Sequence, residues 1–199
     1  MAFWRDATKN DPKRQHRWLF QLGSSDGRVN DFTSEISYIC KKVTRPSIEV
    51  NSAEHKFLNH TFYYPGNVTY EACSVTLVDP TTPDSAANLH KLLQLGGYVL
   101  PGNIQNNVGD GHAQAGTTSK KKSIAAINDT AIIRMIDADG KDQEVIFLKN
   151  VWIQKVDFGG DLAYDSDDLM EITMDLRYDW FEMQSLVDGG DTNLGPIPS

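Results

Sequence analysis

Apolar and polar residues alternate with a period of two along most of this chain. In QHRWLFQL, residues 15–22, His16, Trp18, Phe20 and Leu22 share one side and Gln15, Arg17 and Gln21 the other, the pattern of a half-buried strand. EISYICKKV repeats it with Ile36, Tyr38 and Cys40 and predicts a second strand. That strand ends before Pro46, because proline has no N–H to give a central ladder. Residues 47–66 form a long excursion carrying Phe57, Phe62, Tyr63 and Tyr64 and closing on Pro65-Gly66, a turn signal. A ten-residue strand, TYEACSVTLV, follows.

The spacing changes once. In TTPDSAANLHKLLQLGG, Ala86, Leu89 and Leu93 share a helical face. Pro83 or Asp84 can open that helix and Gly96 or Gly97 can close it. Residues 98–129, rich in Gly, Asn and Ser, read as a long loop. TAIIRMIDADGKDQEVIFLKN then predicts a hairpin about Asp139-Gly140. Its strands are apolar on both faces through Ile132, Ile133, Ile136, Val145, Ile146 and Phe147, so both belong inside a sheet or under a second layer. VWIQKVDF adds a strand.

From Met170 the alternation is at its cleanest. Met170, Ile172, Met174, Leu176, Tyr178 and Trp180 face one way, Glu171, Thr173, Asp175, Arg177 and Asp179 the other, predicting one strand of twelve residues. The tail from residue 183 to 199 carries Gly and Pro and reads as extended. Long antiparallel strands with one helix make a mainly β fold, a sandwich or barrel.

Composition narrows the function. With 199 residues, a single domain is expected: a core over 14–182, an N-terminal arm over 1–13, the 98–129 loop and the 183–199 tail. The net charge of −8 has the wrong sign for gripping phosphates or an anionic membrane. The first eighteen residues are charged and lack an apolar stretch, so no secretion signal is expected and folding in a cytoplasm is. Cys40 and Cys73, the only two cysteines, read as small buried hydrophobes.

Five acids crowd residues 161–171: Asp161, Asp165, Asp167, Asp168 and Glu171. A calcium loop counted from Asp165 would place Met170 where glycine is needed and Leu176 where the bidentate glutamate is needed, so that motif fails. An irregular cation site among these aspartates competes with the simpler reading, a turn held by local hydrogen bonds. The five histidines, His16, His55, His60, His90 and His112, have no ligand spacing with a cysteine or carboxylate. Neither a nucleophile elbow nor a phosphate loop is present. No catalytic residues, metal site or cofactor are expected. The run Lys120-Lys121-Lys122 reads as a solvated loop able to touch an acidic neighbour.

The order of features over residues 144–182, EVIFLKNVWIQKVDFGGDLAYDSDDLMEITMDLRYDWFE, resembles the tail-tube proteins of contractile-tailed bacteriophages. A strand runs into Asn150-Val151-Trp152. A Gly-x-Leu-x-Tyr-Asp-like acidic turn follows, and the last alternating strand ends in Tyr178-Asp179-Trp180. GNVTYEACSVTLVDP is similar to the strand before that family's helix, and ICKKVTRPSIEV to the segment where a hairpin becomes a protruding loop. In all, residues 15–182 follow the family's order.

The resemblance implies a tail-tube fold whose copies join edge to edge into a hexameric ring. Rings stack into a hollow conduit for DNA ejection inside a contractile sheath. Implied partners are further copies, sheath, tape-measure and baseplate tube-initiator proteins, with genomic DNA in transit; the implied location is the virion, after assembly in the host cytoplasm. Glu171, Asp175, Arg177 and Asp179 become candidates for a lumen or inter-subunit face, with a plain solvent-facing strand as the alternative. Phe57, Phe62, Tyr63 and Tyr64, with Phe3 and Trp4, become candidates for ring stacking. Three other readings stay open: the tube of a type VI secretion or tailocin-like system, a tube-initiator ring, and a carbohydrate-binding sandwich with those aromatics as its platform.

Overall fold

The computed structural model of this chain describes residues 12–23, 30–98, 118–160, 162–165, 167–186 and 192–193. In chain order these form β1 (Trp18–Leu22), α1 (Asn30–Ile39), β2 (Cys40–Val43), β3 (Ile48–Phe57), β4 (His60–Tyr70), β5 (Cys73–Val78), α2 (Ser85–Leu95) and α3 (Lys120–Ala126). There follow β6 (Thr130–Ile136), β7 (Asp142–Lys149), β8 (Trp152–Asp157), β9 (Glu171–Arg177), β10 (Trp180–Ser185) and β11 (Thr192–Asn193).

All strand pairs are antiparallel. They build a five-stranded sheet ordered β1-β6-β7-β10-β11, a four-stranded sheet ordered β2-β5-β9-β8, and the ribbon β3-β4. The larger sheets contribute their inner faces to one hydrophobic cluster. Phe20, Ile133, Ile146 and Leu148 come from one sheet and Val75, Leu77, Ile172 and Met174 from the other. Leu89 and Leu92 of α2 and Ile36 and Ile39 of α1 close it. Each such side chain, removed from water, contributes roughly 1.5–3 kcal/mol.

The mainly β architecture read from the alternation is the one observed. The β6–β7 hairpin forms at its Asp-Gly signal: Gly140 takes φ +77°, and one Asp137 carboxylate oxygen accepts from the amides of Asp139 and Lys141 at 2.8 Å each. Both strands lie inside the five-stranded sheet, as their two apolar faces require. Helix α2 is capped by the Asp84 carboxylate, which accepts from Ala87 N at 2.8 Å.

Five local expectations are corrected, beside the ten-residue strand expected over 69–78, which breaks at Glu71-Ala72 between β4 and β5. Residues 35–39 of the expected second strand belong instead to helix α1: Ile36 and Ile39 are buried three apart while Tyr38 points to solvent. The expected long loop contains α3, opened by Ser119, whose hydroxyl accepts from Lys122 N; three helices thus stand among the described residues where one was expected. The excursion at 47–66 is paired strand nearly throughout. Pro65-Gly66 does not turn the chain but marks a bulge within β4. There a Cβ on Gly66 would lie 2.9 Å from the Asn51 carbonyl oxygen, so only glycine fits.

The fifth correction concerns the twelve-residue strand. It is two strands: β9 lies in the four-stranded sheet, and after Tyr178-Asp179 the chain crosses to become β10 of the other. The crossing is pinned by Asp179, whose amide donates to Lys149 O. Parity flips there. Phe181 and Met183 pack on the core, whereas Trp180 is 41% exposed. The extended tail contributes the end of β10 and β11, which pairs with it.

Candidate functional site

Among the described residues, the β3–β4 ribbon is the least satisfied part. Every residue from Ile48 to Thr69 is exposed, and neither strand pairs with either main sheet. An isolated two-stranded hairpin is marginal in water, and this one carries Ile48, Val50, Phe57, Leu58, Phe62, Tyr63, Tyr64 and Val68 in the open. Cross-strand register assigns them to faces. Ile48, Val50, Val68 and Tyr70 share one face near the root, through the pairs Ile48–Tyr70 and Val50–Val68. Beyond the bulge, Phe57, Phe62 and Tyr64 share the opposite face with Ala53, His55 and His60. The apolar surface therefore changes sides at the bulge. Tyr63, opposite Glu54, stands on the other face, so three of the four aromatics share one side.

The ribbon's apex is a two-residue turn, Leu58-Asn59, closed by the Phe57–His60 pair. Leu58 sits at φ +51°, a region that costs an L-residue about 1–2 kcal/mol. Its side chain is 91% exposed.

The ribbon's root is held by a charge cluster that sequence reading missed. Glu144 of β7 is only 5% exposed and forms ion pairs with Arg45, in the link from β2 to β3, and with Lys13, ahead of β1. A buried carboxylate demands such partners. Its acidic character amid the apolar EVIFL run was the available signal. Close by, Tyr70, Tyr178 and Phe181 cluster with centroids 5.9–6.3 Å apart, Phe181 meeting both tyrosines edge-on and the tyrosines tilted at 59° to each other.

The polar face of β9 has Glu171 paired with Lys41, and Arg177 donating to Tyr70 O at 3.1 Å. Asp175 lies opposite Ser74 and Lys155. Asp179, past the strand end, accepts from Lys120 at 2.6 and 2.7 Å and from Asn150 at 2.8 Å. These donors, the Lys120 hydrogen bond first, hold its carboxyl below the usual carboxylate range. Lys42, Lys155 and Arg177 share the outer sheet face with Asp157, Glu171 and Asp175 by register. The face is balanced in charge, not the concentration of acid that the sequence pattern suggests.

Phe3, Trp4 and Asp161 lie outside the described residues. Leu162, Tyr164 and Leu169 of the acidic connection are exposed. Among the described residues no three His, Cys, Asp or Glu side chains gather as a metal would require. Burial pushes the thiols of Cys40 and Cys73 up to about 12, and the Cys73 thiol donates to Thr44 O at 2.8 Å. No described helix is long and apolar enough to cross a membrane.

No family model matches the sequence, and no curated protein matches it. Solved structures do match. A chain of the anti-feeding prophage baseplate superposes with TM-score 0.56 at 11% identity, over 89% of this chain and 99% of that one. A chain of the same prophage's tube-terminating cap gives 0.56 at 9%, over 88% and 93%. A chain of the sheath–tube complex of the PVC extracellular contractile injection system, in its extended state, gives 0.52 at 14%, over 94% and 99%. The chain thus has the fold of tube-type proteins of contractile injection systems, and the tail-tube resemblance holds at the level of fold.

Proposed function

We propose that this chain is a structural, non-enzymatic subunit of the tube of a contractile injection machine. One observation carries the reading: a ribbon of 10- and 11-residue strands, exposed on both faces and apolar on parts of each. Chains kept as monomers avoid such a surface, so it is built to be covered. The shared fold supplies the occasion, in which copies join, a ring of six closes, rings stack and a sheath surrounds them.

Edge strands β1 and β11 of one sheet and β2 and β8 of the other are where copies would join; closure of a head-to-tail contact yields a ring and removes the free edges. Phe57, Phe62, Tyr63 and Tyr64 then contact a neighbouring copy, and Phe3 and Trp4 add to the same stacking surface. Glu171, Asp175, Arg177 and Asp179 lie toward the channel or the adjacent subunit. A balanced face suits a conduit as well as an acidic one does, since it offers phosphates no net counterion release.

In the phage form of this proposal the subunit is part of a virion and the tube passes DNA. The matched neighbours belong to a prophage-derived and an extracellular injection system. That observation favours, as a second reading, a tube delivering other cargo, or a terminating or initiating ring with sheath and cap as partners.

The test is negative-stain electron microscopy of concentrated protein with light scattering for mass. Six-fold rings or hollow tubes are expected. Phe62→Ser with Tyr64→Ser should leave melting unchanged and abolish them. A chain that stays monomeric at all concentrations and binds glycan saturably would overturn the proposal.

A further inference from the structure

Charge is segregated along the strand direction of the four-stranded sheet. At one end, the connection from β8 to β9 exposes Asp165 and Asp167 among the apolar Leu162, Tyr164 and Leu169. At the other end α3 exposes Lys121 and Lys122. Leu95 and Tyr98, partly exposed, lie beside that helix, where Gly96 O accepts from the Ser123 hydroxyl at 3.3 Å.

Topology sets the separation. Lys120 reaches Asp179, just past the end of β9, whereas the acidic connection enters β9 at Glu171. The seven residues of β9 lie between them, on the order of 20 Å of strand. Strand β8 spans the same interval in reverse: Trp152, its first residue, lines one cavity with Lys120, and Asp157, its last, leads into the connection. Helix α2 does so as well. It starts at Ser85, whose amide donates to Asp79, itself bonded to Met170 O, and it ends against α3.

At about 0.15 M ionic strength the Debye length is about 8 Å, so the two groups are too far apart to neutralise each other within one copy. Glu171 is already matched by Lys41 and Asp179 by Lys120. Among the described residues, Lys121 and Lys122 pair with no acid, and Asp165 and Asp167 with no base. The net charge of −8 opposes approach at long range, but once copies touch, screening leaves the nearest charges to decide. Here those have opposite sign. The ribbon leaves from the basic end, since Arg177, the last residue of β9, donates to Tyr70 O at 3.1 Å.

We propose that copies stack head to tail, with Lys121 and Lys122 of one copy against Asp165 and Asp167 of the next and the exposed apolar residues of both ends packed between them. Such a contact joins two different surfaces, so it repeats along a line and gives the assembly a direction. The proposal rests on the tube reading and deepens it by assigning which end of one ring meets which end of the next.

Charge reversals in the full chain test it, with assembly followed by light scattering and negative-stain electron microscopy at about 0.15 M salt. Lys121→Glu with Lys122→Glu, and separately Asp165→Lys with Asp167→Lys, should each raise the concentration needed for tubes about tenfold or more. All four positions are exposed, so melting should not change. The aspartate reversal is the sharper arm. It lowers the overall negative charge and would favour assembly if net repulsion alone mattered. A chain with all four reversals restores opposite signs at the junction and should assemble near the wild-type concentration. At about 1 M salt the differences among the variants should shrink. An aspartate reversal that assembles as readily as the wild type, or a fourfold chain that stays as poor as the double reversals, overturns the head-to-tail pairing and leaves the tube reading intact. Wild-type chains that form neither rings nor tubes overturn both.

Discussion

Removing Arg45 and Lys13 together should destabilise the chain by more than the sum of removing each, because both answer one buried charge. The Glu144 side chain is 6% exposed, whereas those of Lys13 and Arg45 are 40% and 52% exposed. The cations can rehydrate when the acid is lost; the acid cannot when they are. Each charge-assisted hydrogen bond is worth about 1.5–3 kcal/mol, and half-exposed partners place each single loss near the lower end. Lys13→Ala and Arg45→Ala should therefore each cost about 1–2 kcal/mol, the survivor still compensating Glu144. The double variant leaves a carboxylate buried without a partner, at about 3–5 kcal/mol, with a coupling energy of about 1 kcal/mol or more. Adding Glu144→Gln should recover much of that, since a neutral amide needs only hydrogen bonds. Urea unfolding followed by tryptophan fluorescence measures all four variants. A double variant no worse than additive, or a triple variant no better than the double, would show that Glu144 does not depend on these partners.

Asp179 is held below the ordinary carboxylate range, chiefly by Lys120. Its contribution is present above that range and lost as pH falls through the lowered folded value. Asp179→Asn should accordingly flatten the acid limb of a stability-versus-pH curve. Cys40, Cys73 and Tyr178 are pushed up to about 12, in each case by burial first. Their contribution is complete below the unfolded values and disappears as pH climbs through the folded ones, so unfolding should become easier between about pH 9 and 12. In the same vein, a disulfide reagent at about pH 8 should label both thiols rapidly in denaturant and slowly in the native chain.

Alternation exposed the β architecture because both main sheets face one core, so most strands show one wet and one dry side. The same uniformity hid the sheet change at Tyr178-Asp179. Period two reports which side is dry, not which sheet the strand has joined; Asp179's bonds to Lys120, Asn150 and Lys149 hold the break. Helix α1 escaped notice because Ile36, Tyr38 and Cys40 match period two as well as Ile36 and Ile39 match the helical spacing; burial decides for the latter. The aromatics of 57–64 were legible as a surface awaiting cover, but that Phe62 and Tyr64 face away from Val68 and Tyr70 depends on the bulge at Gly66. Glu144 was hidden for another reason: its partners lie 131 and 99 residues away.

The change of sides along the ribbon bears on how growth stops. A surface that is sticky on one side alone is saturated by one companion, and pairs are then the end product. Here the root is apolar on one face and the tip on the other, so a flat companion that shields either leaves the other thirsty. In the proposed tube, every addition would then present a fresh unsatisfied patch at the growing end, and length would be set by whatever terminator, with a different ribbon or none, is placed on top.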